Sequence, residues 1–285
     1  MLLDGKLTSN VIKEELKIKI AILKEKYSIE PHIAIIQVGD VTASNIYIRN
    51  KIRDCEYVGI VAHHIHLPEN VTQDELNKEI DKLNKDEIIN GIIVQLPLPK
   101  HLNEREVIER IDPKKDVDGF AITNKGRLFC GLDTINPATP QGIITLLERY
   151  NISVEGKTAV VIGRSNIVGK PIALMLLNRN ATVTICHSKT NNLKDICSNA
   201  DVLVACLGKA KFVTKDMVKK DAIVIDVGMN RDENGKLCGD VDFENVKDIA
   251  SYITPVPGGV GPMTIISLLE ATYNALIKQR GIVVC

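Results

Sequence analysis

Short runs of consecutive apolar residues alternate along this chain with longer stretches in which apolar positions recur every three or four residues. The first pattern is that of buried strands and the second that of amphipathic helices; their alternation marks parallel α/β sheets. Residues 8–27 carry helical spacing, with Val11, Ile12, Leu16, Ile20 and Leu23 close to one face. Ile33–Val38 reads as a buried strand, residues 43–58 as a helix and residues 60–67 as a strand. A capping box, Thr72-x-x-Glu75, opens the next helix. Gly91–Leu96 reads as a strand stopped by Pro97 and Pro99, and residues 103–111 as a helix.

The polar, turn-rich segment 112–119 then breaks the rhythm and predicts a domain boundary. A helix beginning near Thr139-Pro140 leads into strands at 158–162, 182–186, 201–206 and 222–227. Asn234-Gly235 predicts a hairpin turn within 228–240. The last helix, about 263–280, follows a loop with three prolines and three glycines in residues 255–262. That loop is too rich in breakers to continue a helix or a central strand. It reads either as a stiff wall against a flat ligand or as a tight strand-to-helix connection.

At 285 residues the chain has room for two modest domains. Lys+Arg equals Asp+Glu at 36 each, which leaves no electrostatic footprint for nucleic acid or an anionic membrane. No apolar run is expected to span a bilayer, and Asp4 and Lys6 stand where a signal peptide needs its apolar region. A cytoplasmic protein is the expectation. The seven cysteines are odd in number and form no C-x-x-C pair, so they read as reduced thiols. His64 and His66 share a face of their strand without an acidic or cysteine partner nearby; a surface cluster is expected there and no metal.

Thr158–Ile162 runs into Gly163-Arg164-Ser165-Asn166-Ile167-Val168-Gly169-Lys170-Pro171 and then a helix. Strand, glycine turn and helix form the phosphate-binding geometry, because helix N-terminal amides face the anion and glycine admits close approach. The spacing departs from G-x-G-x-x-G, and the motif alone does not separate a phosphate loop from an ordinary strand-to-helix turn. The next strand ends in His187-Ser188-Lys189-Thr190, without the carboxylate that NAD enzymes place there to hold the ribose. Arg164, Ser188 and Lys189 supply donors for a 2′-phosphate instead, which predicts NADP.

Tyr47 and Lys51 lie four residues apart on one helix face, beside a stripe of Ile48, Ile52 and Cys55. Tyr-x-x-x-Lys is also a short-chain dehydrogenase signature, but there the glycine loop comes first and here it comes more than a hundred residues later. Gln95 sits at the carboxyl end of an apolar strand, where α/β sheets place ligands; the alternative is an amide pairing with loop backbone. Asp118 is either a turn former or a carboxylate for a ring N–H and an exocyclic amine.

In this order, Tyr47-x-x-x-Lys51, Gly91–Pro99, Pro113–Gly119, Gly163–Pro171, His187–Thr190 and Thr254–Thr264 span nearly the whole chain. With them the chain resembles the bifunctional methylenetetrahydrofolate dehydrogenase/methenyltetrahydrofolate cyclohydrolase enzymes. The departures are small: Ala138 stands where the family often has cysteine, and Ala210 where proline is common. The resemblance implies an α/β protein of two domains. One is a folate-binding catalytic domain over residues 1–120, joined by a returning last helix, 263–285. The other is a Rossmann-like NADP-binding domain over residues 139–262. It implies that Lys51 is catalytic in the hydrolytic step, that Gln95 holds and tunes it, and that Tyr47 packs on the folate ring. Asp118 would anchor the pterin, with Pro257, Gly258 and Gly259 also in the substrate site. Gly163, Arg164, Ser165, Ile167, Val168, Gly169, Ser188 and Thr139 would hold the cofactor. A small-molecule folate and a second copy of the chain, paired through the nucleotide domain, are the implied partners. Two alternatives stand beside it: another NADP dehydrogenase of the shikimate dehydrogenase type, which shares the architecture, and a non-catalytic folate or dinucleotide sensor.

Overall fold

The computed structural model describes residues 1–283, without the side chains of Thr42, Ala43 and Ser44; Cys285 falls outside the described residues. Two compact units divide the chain. The first holds Val11–Ala138 and the chain from Ile265 onward, and the second holds Met1–Asn10 and Thr139–Thr264.

The first unit begins within helix α1 (Gly5–Tyr27), whose buried face carries Ile12, Leu16, Ile20 and Leu23. Strand β1 (His32–Val38), helix α2 (Thr42–Val58), strand β2 (Val61–Leu67), helix α3 (Gln73–Lys85) and strand β3 (Gly91–Val94) follow. The strands pair in parallel in the order β2-β1-β3. One face packs Ala34, Ile36, Ile92 and Val94 against Leu76, Ile80 and Leu83 of α3 and Val107 of helix α4 (Glu104–Arg110). The capping box forms as expected, with the Glu75 amide donating to Thr72 Oγ1 and the Thr72 amide to the Glu75 carboxylate. Strand β3 stops two residues before the expected end, and Gln95 already belongs to the loop.

The predicted boundary segment 112–119 is integral to this unit. Lys115 and Asp116 are buried, and Ile92 bridges to Asp116 in parallel. Lys115 Nζ donates to the carbonyls of Leu83 and Asp86 at 2.9 and 2.7 Å, closing the C-terminal end of α3. A short helix the periodicity did not reveal, α5 (Ile122–Phe129), continues the unit to Ala138.

Helix α6 (Ala138–Arg149) opens the main part of the second unit. It is followed by β4 (Thr158–Ile162), α7 (Gly169–Leu177), β5 (Thr182–Cys186), α8 (Leu193–Cys197), β6 (Val202–Ala205) and β7 (Ile223–Asp226). The hairpin β8 (Asn230–Arg231) and β9 (Leu237–Cys238) turns at Gly235, whose φ is +74°. Helix α9 (Phe243–Val246) and strand β10 (Tyr252–Ile253) complete it. The parallel sheet runs β10-β7-β6-β4-β5, so the chain reverses direction of travel between β4 and β6. Residues 1–10, expected in the first domain, pack here because Leu2 pairs in parallel with Ile253 and extends the sheet beyond β10.

Helix α10 (Val260–Arg280) starts three residues earlier than expected, inside the Pro/Gly loop. Pro262 falls in its first turn, where the missing N–H would have no intrahelical partner. By length and composition this helix can span a bilayer, contrary to the expectation that no run does. Its apolar character is that of a core helix: Met263, Ile266, Leu268, Leu269, Ala275 and Leu276 are buried.

Candidate active site

Two clusters carry the residues singled out in the sequence, one in each unit. In the first, α2 buries Ile48, Cys55 and Val58 and leaves Tyr47 and Lys51 on the neighbouring face. Lys51 Nζ donates to Gln95 Oε1 at 3.1 Å. Gln95 is held at both ends: its amide N–H donates to the Ile36 carbonyl at 2.9 Å, and Nε2 donates to the Leu96 carbonyl at 2.8 Å. The carboxamide oxygen is thereby fixed toward the lysine. Of the two alternatives for Gln95, the pairing of its amide with loop backbone is the one formed, through Nε2 on the Leu96 carbonyl, while Oε1 takes the lysine.

Asp118 is half-buried, and burial pushes its carboxyl up to about 6, against the pull of Lys51 and with a further push from Asp116. Asp116 itself is spent on structure, accepting from the Ala121 amide at 2.7 Å and Asn124 Nδ2 at 2.9 Å. Gly119, at φ +71°, brings the chain against Asn136 and Pro137, where a Cβ would lie 2.5 Å from backbone. Burial also raises the Tyr47 hydroxyl. A lysine, an amide and one carboxyl raised by burial thus form a site suited to proton exchange and recognition of a polar ring.

The histidines of β2 are turned to another use. His64 Nε2 lies 3.0 Å from Gln37 Oε1, and His66 Nε2 lies 2.9 Å from the Gly39 carbonyl. Among the described residues no group of His, Cys, Asp and Glu is arranged to hold a metal.

In the second unit, Gly163 ends β4 with φ +135°, and a Cβ there would stand 2.4 Å from the Cys206 carbonyl oxygen. A Cβ on Gly169 would stand 2.4 Å from the Gly163 carbonyl oxygen. Both motif glycines are therefore required by backbone contact, and they close the loop onto the start of α7. Ser165 Oγ accepts from the Val168 and Gly169 amides at 3.1 and 3.2 Å, capping that turn. The loop sits at the point between β4 and β6 where the sheet reverses, the position at which doubly wound sheets bind ligands. Arg164, Ile167, Ser188 and Lys189 are exposed around it. The Thr190 hydroxyl accepts from the His187 amide at 2.8 Å and shapes the β5 end that carries Ser188. Thr139, in the first turn of α6, is hydrogen-bonded to Thr264 at 3.0 Å.

Pro257 is exposed and Gly259 buried in the loop before α10. Thr254 anchors the loop, its hydroxyl accepting from the Asp226 amide at 2.7 Å. Asp226 and Asp240 went unremarked in the sequence; they stand as ordinary acidic residues near turns, and only the fold shows both to be buried.

Comparison with known proteins matches both halves. Residues 3–118 fit the family described as tetrahydrofolate dehydrogenase/cyclohydrolase, catalytic domain, and residues 137–280 fit its NAD(P)-binding domain. A bifunctional protein FolD from Agathobacter rectalis is 55% identical over 275 residues, covering 96% of this chain and 98% of that protein. The crystal structure of the FolD methylenetetrahydrofolate dehydrogenase/cyclohydrolase from Campylobacter jejuni aligns with a TM-score of 0.96 at 51% identity, covering 98% and 99% of the two chains. The Trypanosoma brucei enzyme, solved with NADP and an inhibitor, aligns with a TM-score of 0.94 at 35% identity, covering 99% of each. A shikimate dehydrogenase assignment explains neither family match. With matches that run through both units and relatives of its own length, the chain belongs to the tetrahydrofolate dehydrogenase/cyclohydrolase family.

Proposed function

We propose that this chain oxidises 5,10-methylene-tetrahydrofolate with NADP and hydrolyses the methenyl product to 10-formyl-tetrahydrofolate. The observation that carries the reading is the fixed pair of Lys51 and Gln95 beside Asp118, within a chain of this family. Bound NADP supplies the ring that takes the hydride from the bridging carbon. Asp118 accepts hydrogen bonds from the pterin, and Tyr47 lies against its ring. In the second reaction water adds to the methenyl carbon, the ring opens, and one proton is released. Lys51 exchanges that proton, with Gln95 Oε1 holding its Nζ in place. Pro257, Gly258 and Gly259, a side-chain-poor stretch of the nucleotide unit, would contact the folate as well.

The glycine turn fits the dinucleotide, because Gly163 and Gly169 make a cradle that any Cβ would fill. Arg164 and Ser188 would hold the 2′-phosphate, with Ser165, Ile167, Val168 and Thr139 lining the rest. A homodimer through the nucleotide unit belongs to this reading. Strand β5 is an edge strand, and Ile185 on it and Leu177 on α7 are 40% and 54% exposed. The free thiols of Cys55, Cys130, Cys186, Cys197, Cys206 and Cys238 suit a reducing compartment, the cytosol.

Turnover of 5,10-methylene-tetrahydrofolate with NADP⁺ and NAD⁺ in parallel, following methenyl and formyl products, tests the reading. Formyl product with NADP⁺ and little with NAD⁺ is expected. Methenyl accumulation without formyl product would remove the role of Lys51.

A further inference from the structure

The loop Pro255–Gly259 does not stand by itself; the first residues of the chain are built into it. Met1–Leu3 lie beside β10, with the Leu3 amide donating to the Ile253 carbonyl at 2.9 Å and the Ile253 amide to the Met1 carbonyl at 3.1 Å. Asp4 then caps α1, its Oδ1 accepting from the Leu7 amide at 2.8 Å, while its own amide donates to the Tyr150 hydroxyl at 2.9 Å. Two residues on, the Lys6 amide donates to the Gly258 carbonyl at 2.9 Å. Between them Gly5 is pressed so closely on the loop that a Cβ would lie 1.8 Å from the Gly259 carbonyl oxygen. From the other side, a Cβ on Gly259 would lie 2.6 Å from the Pro255 carbonyl oxygen. Two buried glycines thus form a seam with no room for a side chain, and the adjoining hydrogen bond fixes the carbonyl of Gly258, whose φ of +107° few other residues adopt.

We propose that Gly5 is a positioning residue for folate binding: the first turn of α1, seated on Gly259, sets the position of the loop that bears Pro257 and Gly258. This rests on the reading of that loop as a folate contact. An added methyl at residue 5 displaces the backbone of Gly259, because a carbonyl oxygen cannot rotate away as a flexible side chain does. The three atoms nearest a Cβ on Gly5 all belong to Gly258 and Gly259, so folate and NADP binding should separate.

The experiment is Gly5→Ala in the full chain, with KM and kcat measured for both reactions and KM for NADP. The expected result is a folate KM raised about tenfold in both reactions, with the NADP KM and kcat changed less than twofold. An unchanged folate KM overturns the proposal, as does a fall in kcat alone accompanied by a lowered Tm, which marks a merely structural glycine. Tyr150→Phe loosens the same seam without adding an atom and should raise the folate KM about threefold; it decides the matter should Gly5→Ala not fold. Gly259→Ala separates the two readings. A raised folate KM there with none in Gly5→Ala removes only the role of Gly5, whereas no change in either removes the loop as a folate contact.

Discussion

The backbone amide of Asp240 donates to Oδ1 of Asp226 at 2.8 Å, so one buried acidic residue holds the backbone of another. Asp226 also accepts from the Gly228 and Val241 amides at 2.9 Å each. Asp240 in turn accepts from the consecutive amides of Leu207, Gly208 and Lys209 at 2.7, 3.0 and 2.8 Å, and from Asn230 Nδ2 at 2.9 Å. The loop held this way begins at Cys206, whose carbonyl lies against Gly163 of the cofactor turn. Asp240→Asn keeps one acceptor oxygen and turns a donor toward amides, a mismatch costing about 1–3 kcal/mol. A lowered Tm and an NADP KM raised severalfold are expected, with cyclohydrolase kcat retained; steady-state kinetics of the two reactions check it.

Lys51→Met removes the group held by Gln95 without removing its bulk. Cyclohydrolase activity should fall by at least a hundredfold, the scale of a lost proton-transfer group. Hydride transfer needs no acid or base, so dehydrogenase activity should fall much less. Equal loss of both, with folate and NADP binding intact, would show that the lysine serves binding and not hydrolysis.

Asp118 titrates where the enzyme can be assayed. Burial raises its carboxyl from 3.8 to about 6, so the free enzyme binds a proton there as pH falls through 6 and loses an acceptor for the pterin. Folate kcat/KM should fall with that titration, and the fall should be absent in Asp118→Asn. Stability runs the opposite way. The native state holds more protons than the unfolded chain between 3.8 and about 6, so stability declines as pH rises through that window. Asp118→Asn should therefore flatten the pH dependence of Tm there.

Arg164→Ala should raise the NADP KM about ten- to a hundredfold, the worth of a lost charge-assisted hydrogen bond or two, and leave the NAD KM within threefold. Ser188→Ala should act in the same direction and more weakly. Parallel KM measurements with the two cofactors distinguish loss of phosphate recognition from general damage to the loop.

Local chemistry made most elements legible in the sequence. The alternation of apolar runs and helical spacing, the Thr72–Glu75 box, the Asn234-Gly235 turn and the glycine turn after β4 each depend on neighbours in the chain, and each forms where its residues are. The pairing of Tyr47 with Lys51 follows from helix geometry alone. Tertiary structure decided everything that depends on residues far apart. It brought Gln95 to Lys51, buried Asp226 and Asp240 among backbone amides, made a core segment of residues 112–119, and laid Gly5 on Gly259. An acidic residue reads as polar whether water or three amides surround it, and a glycine reads as a turn former whether or not another backbone lies where its side chain would be. Those differences arise only when separated segments exclude water from one another.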